Sequence, residues 1–322
     1  MNVDIDNIEH VVTCMAGFES YLSGVDNGDV VYTMTCMRLN GLDVKSVAGN
    51  EGLFTAIREG GKKLYEMIVN LLRGIKNFFF GSSGSKRDSA VTKGKDEVKE
   101  SRKVVELTVT RIERSDSKMQ TMIEEAKKST DQMNKLMSGE QFAQTGEKWL
   151  DFTSEYTNPL WDASSRAHYV QNIPQVKITD MSFGFGELKE ALTKLKNAIK
   201  KQNPSGEGKV YIISTIDAGI EIYDAMLNVR NIAKKRLATA TVDLGHNNDA
   251  YNKLLDFDDE TLQNRGKEMQ KLCTDIVRVT DSLTKLIKDL EKNMMSICYG
   301  VERIAKKLDV PFENPFNKLV LV

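Results

Sequence analysis

Histidine and cysteine have the widest chemical reach of the side chains in this sequence, as metal ligands, nucleophiles and proton carriers. His10, His168 and His246 stand in three unrelated segments, and their surroundings predict no pairing with a second His or a Cys at metal-ligand spacing. Each reads as a surface or helix-end histidine, so neither a metal nor a cofactor is expected. Cys14, Cys36, Cys273 and Cys298 are too widely spaced for a zinc knuckle, and too few for a disulfide scaffold in 322 residues. Small reduced thiols are predicted. A bridge between Cys14 and Cys36, on opposite arms of a predicted hairpin, is geometrically conceivable.

Other chemistries lack their residues. Gly81 to Lys86 has neither the preceding strand nor the spacing of a phosphate-binding loop, and Gly81-Ser82-Ser83-Gly84 is no nucleophile elbow. Asp256-Phe257-Asp258-Asp259-Glu260 has part of a calcium loop but not its central glycine or closing glutamate, and reads as an acidic helix cap. The Phe183-Gly184-Phe185-Gly186 run reads as a tight turn with aromatic anchors. No catalytic residue is expected, and the chain is read as a non-enzyme.

Charge gives a positive signal. Residues 1 to 52 carry eight acidic and two basic side chains, whereas residues 53 to 128 carry seventeen basic and eleven acidic. Such segregation favours self-association or an anionic partner for the middle region. At its start, LFTAIREGGKKLYEMIVNLLRGIKNFFFG places Ile57, Leu64, Ile68, Leu71, Leu72, Ile75, Phe78 and Phe79 on one side of a helix. Arg58, Lys62, Lys63, Arg73 and Lys76 take the other side, and Phe80 closes the run. These basic residues with Phe78, Phe79 and Phe80 form the candidate surface for DNA, an anionic membrane or a protein partner. The competing reading packs the same apolar face onto the N-terminal hairpin as core.

The elements around this helix are themselves helical. Five prolines and 7% aromatic residues against 28% charged predict an all-α fold. Ile5, Ile8, Val12, Met15, Phe18 or Glu19, and Leu22 mark a first helix, and Asp26-Asn27-Gly28-Asp29 a turn and cap. Val30, Val31, Met34, Met37 and Leu39 mark a second helix, completing a hairpin. Residues 81 to 90 open with Gly-Ser-Ser-Gly-Ser and are predicted to be a flexible linker, dividing domain 1–80 from an elongated coiled-coil-like bundle at 91–310. A seven-residue repeat runs through Val91, Val98, Val105, Ile112, Met119, Ala126 and Met133, and calls for a partner helix.

Further on, Gly139, Gly146, Pro159, Pro174, Trp149 and Trp161 predict short helices and turns. Leu188, Leu192, Leu195 and Ile199 form a short helix ended by Asn203-Pro204-Ser205-Gly206. A longer one places Ile213, Ile216, Ile220, Tyr223, Leu227, Ala233 and Leu237 inward and is expected to end at Gly245-His246-Asn247-Asn248. The most regular stripe follows: Met269, Leu272, Ile276, Val279, Leu283, Leu286, Leu290, Met294, Ile297, Val301, Ile304 and Leu308. Residues 311–322 are expected to form an extended clamp or a free end.

An acidic hairpin, then Glu51-Gly52-Leu53 to Phe80 with its Lys62-Lys63-Leu64-Tyr65 and Ile75-Lys76-Asn77-Phe78-Phe79, then polar helical seams, resembles the internal head proteins of large tailed bacteriophages over residues 1–90. The resemblance implies a structural virion protein packed with the genome, trimmed by a prohead protease and ejected with phage DNA, with other virion or capsid proteins as partners. Ile57-Arg58-Glu59, Leu64-Tyr65-Glu66, Ile123-Glu124-Glu125 and Leu188-Lys189-Glu190 match the glutamate preference such proteases have, but lie in predicted helix. Ser138-Gly139-Glu140 lies in a predicted loop, which makes Glu140 the candidate processing site.

MNVDIDNIEH lacks the features of a secretory signal, and no eighteen-residue apolar run occurs, so the expected location is the virion interior or host cytoplasm. Two alternatives fit the same layout: a membrane-active protein resembling long-helix pore-forming toxins, and an assembly scaffold that forms homo-oligomers through its seams.

Overall fold

The computed structural model describes residues 8–39, 50–112, 117–138, 185–256 and 260–319, and among them the fold is all-α with no strand. The α-helices in chain order are α1 (Ile8–Leu22), α2 (Gly28–Leu39), α3 (Asn50–Ile75), α4 (Ser82–Ile112), α5 (Ser117–Ser138), α6 (Phe185–Lys201), α7 (Lys209–Leu254) and α8 (Glu260–Lys307). A π turn, Lys76–Phe80, extends α3, and a 3-10 turn, Pro315–Lys318, follows α8. None of these helices is long and apolar enough to cross a membrane. Among the described residues the chain forms two compact units, one from 8–82 and 235–284, the other from 83–138, 185–234 and 285–319.

The first unit is built on the hairpin. Gly24 ends α1 with φ 71°, and the Asn27 side chain accepts from the Val30 N–H at 3.0 Å to cap α2. The two helices then approach closely at Gly17, where an added Cβ would lie 2.1 Å from the Asp29 carbonyl oxygen. Thr33, fully buried at that crossing, donates to the Cys14 and Thr13 carbonyls at 3.2 and 3.3 Å. The inward stripe of α2 is Val30, Thr33, Met34 and Met37, while Val31 and Leu39, expected inward, face solvent. A polar threonine at the tight crossing broke the apolar pattern on which that expectation rested.

Helix α3 lies between this hairpin and the end of α7. Gly60 abuts Phe18 and Met37, Gly61 abuts Tyr251 and Leu255, and Leu72 reaches the position where Gly245 lacks a side chain. Leu64, Ile68, Leu71, Ile75 and Phe79 are all at most 2% exposed. Burying each such side chain stabilises by about 1.5–3 kcal/mol before entropy is counted, so the apolar face of α3 is a main source of this unit's stability.

The expected stop at Gly245-His246-Asn247-Asn248 does not occur: α7 continues to Leu254. Leu244, Asn247, Asn248 and Tyr251 are buried there, and Asn248 donates to the Tyr65 carbonyl at 3.2 Å. Tertiary contacts outweigh the ~1 kcal/mol helix penalty of a glycine.

In the second unit the expected linker is helix. Helix α4 begins at Ser82, and Gly84, Ala90, Val91 and Gly94 are buried along it. A Gly/Ser run is flexible when nothing covers it, and here packing fixes it. Val91, Val98, Val105, Ile112, Ala126 and Met133 are buried and Met119 is half-buried, so most heptad positions form a core face. They lie on α4 and α5.

Their partners come from the same chain. Tyr223 on α7 donates to the Val91 carbonyl at 2.7 Å, and Met133 packs against Gly219 and Gly300. In this unit the stripe residues Leu286 to Leu308 are buried, as are Leu188, Leu192, Leu195 and Ile199; Met269 to Leu283 are buried in the first unit. On α7 the inward face is set by Ile212, Ile216, Ile222, Tyr223, Met226, Val229 and Ala233, with Ile213, Ile220 and Leu227 half-buried beside it.

The chain after α8 is a clamp over its described length. Asn314 accepts from the Phe316 N–H at 3.1 Å and donates to Glu302 at 2.8 Å, and Phe316 is buried against Gly94. Burial would raise the Glu302 carboxyl pKa, but Lys306 and Asn314 outweigh it and hold it below the ordinary value. Glu140, Trp149, Trp161, His168, Phe183, Asp258 and Asp259 lie outside the described residues, as does the side chain of Ile57.

Candidate functional site

The basic-aromatic surface expected on residues 58–80 is divided by the fold. Arg58 and Lys62 reach Asp256 at 3.4 and 3.5 Å, Lys63 reaches Glu66 at 3.5 Å, and Arg73 donates to Asn70 at 3.5 Å. Asp256, expected as a helix cap, is thus a counter-ion for α3. These pairs are exposed and add little stability, yet they lower the positive potential that an anionic partner would meet. Phe79 is core, set edge-on to Phe78 with ring centroids 4.8 Å apart. Phe80 is 41% exposed, and Lys76 is exposed beside it. What faces solvent is the basic side of the helix, with Phe80 and the half-buried Phe78 at its end.

Part of the basic stretch that follows is likewise matched. Lys95 and Lys99 meet Asp224 at 2.8 and 3.4 Å, Arg102 meets Asp217 at 2.8 Å, and Lys103 meets Glu100 at 2.7 Å. Asp217 and Asp224 of α7 are the counter-ions of Lys95, Lys99 and Arg102 on α4 within their own unit.

A different group of residues converges. On α1, His10 and Cys14 stand four apart and so project from one face, and α2 brings Cys36 to them. One ligand atom from each lies within 4.8 Å of the others, the single such His/Cys/Asp/Glu trio among the described residues. Both imidazole nitrogens sit 3.9 Å from Cys14 Sγ, and His10 Nδ1 is 2.6 Å from Tyr32 Oη. The His10 and Tyr32 rings meet edge to face at 5.6 Å.

The expectation that no histidine has a cysteine at ligand spacing is therefore corrected. A four-residue step is a ligand spacing when the segment is a helix, and that step was readable in the sequence. Cys36 was not readable, because its place depends on how far α2 slides along α1. The Gly17–Asp29 contact and the Thr33 hydrogen bonds fix that register.

Burial dominates the electrostatics here. It pushes the Cys14 thiol up to about 12, helped by the charge and hydrogen bond of Cys36, and the Tyr32 hydroxyl is raised by burial and by the same two sulfurs. Beside the trio is a cavity of about 180 Å3 closed by α3, with Met37, Lys63, Leu64, Glu66, Met67 and Asn70 among its walls. His246 is exposed on α7, and Cys273 and Cys298 are buried, their thiols pushed up to about 12 by burial.

No family model, curated protein or solved structure matches the chain.

Proposed function

We propose that this chain is a non-enzymatic structural protein of a tailed-phage particle, an internal capsid component packaged with the genome and carried with it on ejection. The observation that carries the non-enzymatic part is where the polar groups go: among the described residues, the long basic and acidic side chains pair with each other across helices. Lys63 and Glu66 are the one such pair on the wall of the cavity beside His10, Cys14 and Cys36. The layout of residues 1–90, an acidic hairpin leading into a basic amphipathic helix, supports the phage assignment.

Within this reading the partners are other virion proteins, met through polar helix faces. The apolar side of α3 is covered by the hairpin and α7, which favours a packing role for residues 58–79 over insertion into a bilayer. Heptad positions on α4 and α5 are covered by α7 and α8, which favours a chain that seals its own seams over an assembly scaffold. Quantitative mass spectrometry of density-purified particles tests the proposal. Multiple copies per particle, retained through nuclease and detergent washes, are expected; absence from intact particles overturns it.

A further inference from the structure

We propose that His10, Cys14 and Cys36 form a binding site for one soft divalent cation, zinc in the cell, which pins the α1–α2 hairpin. This inference does not rest on the phage assignment.

The donor set is one imidazole and two thiols, the combination zinc takes in preference to calcium or magnesium. Tetrahedral zinc, at ~2.3 Å from sulfur and ~2.0 Å from nitrogen, sets ligand atoms about 3.5–3.8 Å apart. The imidazole nitrogens are already 3.9 Å from Cys14 Sγ, and all three ligand atoms fall within 4.8 Å of one another. Closing to coordination distance takes side-chain movements of about 1 Å or less.

The surroundings fit as well. A metal-bound imidazole normally donates its second N–H to an oxygen that fixes the ring, and Tyr32 Oη at 2.6 Å from Nδ1 supplies that oxygen, leaving Nε2 to bind metal. Two thiolates balance the dication. The adjoining cavity of about 180 Å3 has room for a water as fourth ligand, and Lys63, Glu66 and Asn70 on its wall can hydrogen-bond it. Two ligands from α1 and one from α2 span the hairpin turn, so a bound ion ties the two helices together in addition to Thr33.

The test uses the full-length chain, reduced and stripped with chelator, titrated with Co2+ and then with Zn2+. One Co2+ per chain is expected, with the visible bands of tetrahedral cobalt and a thiolate-to-cobalt charge-transfer band, both bleached by one equivalent of Zn2+. Cys14→Ser and Cys36→Ser each remove the charge-transfer intensity of one sulfur and weaken binding at least tenfold, and His10→Gln weakens it comparably. Tyr32→Phe lowers affinity about tenfold with the cobalt spectrum retained, as expected of a residue that orients a ligand. Cys273→Ser leaves the titration unchanged.

Helical circular dichroism of each variant separates lost binding from lost folding, and any variant that fails to fold is replaced by Cys→Ala at the same position. The proposal is overturned if the reduced wild type gives no thiolate-to-cobalt band. It is equally overturned if the band survives in Cys14→Ala/Cys36→Ala, or if these two cysteines form a disulfide that persists under reducing buffer.

Discussion

Glu291→Ala unfolds the second unit more readily than any surface change, with an expected loss of about 3–5 kcal/mol and a fall in melting temperature of roughly 10 °C. Glu291 is buried and stands at the centre of a charge network. Its Oε1 accepts from Arg230 Nε and Nη2 at 2.9 and 2.7 Å, and its Oε2 accepts from Arg87 Nε at 2.9 Å. Arg230 also donates to Asp88 at 2.6 Å, and Lys234 reaches the same carboxylate.

Arg230 is only 3% exposed, so removing Glu291 leaves that guanidinium buried with just the half-exposed Asp88 for compensation. The cost is that of an uncompensated buried charge, not of a lost contact. The paired replacement Arg230→Met/Glu291→Leu removes both charges together and is expected to cost far less than Glu291→Ala. Chemical denaturation of Arg230→Met, Glu291→Leu and the double variant checks this, and a double-variant loss equal to the sum of the two single losses would mean the pair is not coupled.

The same network sets a pH dependence. Burial alone would raise the Asp88 carboxyl, but hydrogen bonds from Lys234 and Arg230 outweigh it and hold it below the ordinary carboxylate value. A depressed carboxylate contributes stability above the unfolded value of ~3.9 and loses it as pH falls through the folded one. The contribution of Asp88 is therefore intact at neutral pH and fades below about pH 4.

Gly17→Ala is the second large effect, expected at about 3 kcal/mol, and it falls on the hairpin. Its Cβ would meet the Asp29 carbonyl oxygen at 2.1 Å, Thr33 Oγ1 at 2.2 Å and the Asp29 carbonyl carbon at 2.5 Å. Two of those atoms are backbone and cannot rotate away, so α2 must move off α1. The Thr33 bonds to the Cys14 and Thr13 carbonyls break with that movement. Cys36 is carried away from His10 and Cys14 as well, so cobalt binding falls along with stability. Gly28→Ala is the control, because nothing lies within 4 Å of its added Cβ. A neutral Gly17→Ala would mean that the hairpin crossing is looser than this geometry.

The sequence was most legible where burial and helical period agree. Every residue of the apolar stripe from Met269 to Leu308 is buried, because that segment of α8 is packed along its whole length. It was least legible where local chemistry and packing disagree. Gly81-Ser82-Ser83-Gly84-Ser85 has linker composition, yet Ser82 opens a helix and Gly84 is buried in it. Gly245-His246-Asn247-Asn248 has the composition of a helix end, yet both asparagines are buried and the helix continues.

The same divide runs through the sites. The polar face of α3 could be read from spacing, but its neutralisation by Asp256 required a residue about two hundred positions away. Of the His/Cys trio, the pair on α1 was visible as a four-residue step. The third member comes from a register that the close approach at Gly17 and the Thr33 hydrogen bonds help to set.

Hydrogen–deuterium exchange of the intact protein, followed residue by residue along α3, tests most directly whether the basic-aromatic helix is a packing element. The burial of Leu64, Ile68, Leu71, Ile75 and Phe79 predicts amides across 64–79 that exchange as slowly as those of Met269 to Val279, which share its unit. Exchange of 64–79 within seconds, while 269–279 stays protected, would show a helix that leaves its site in the native protein and would contradict the account.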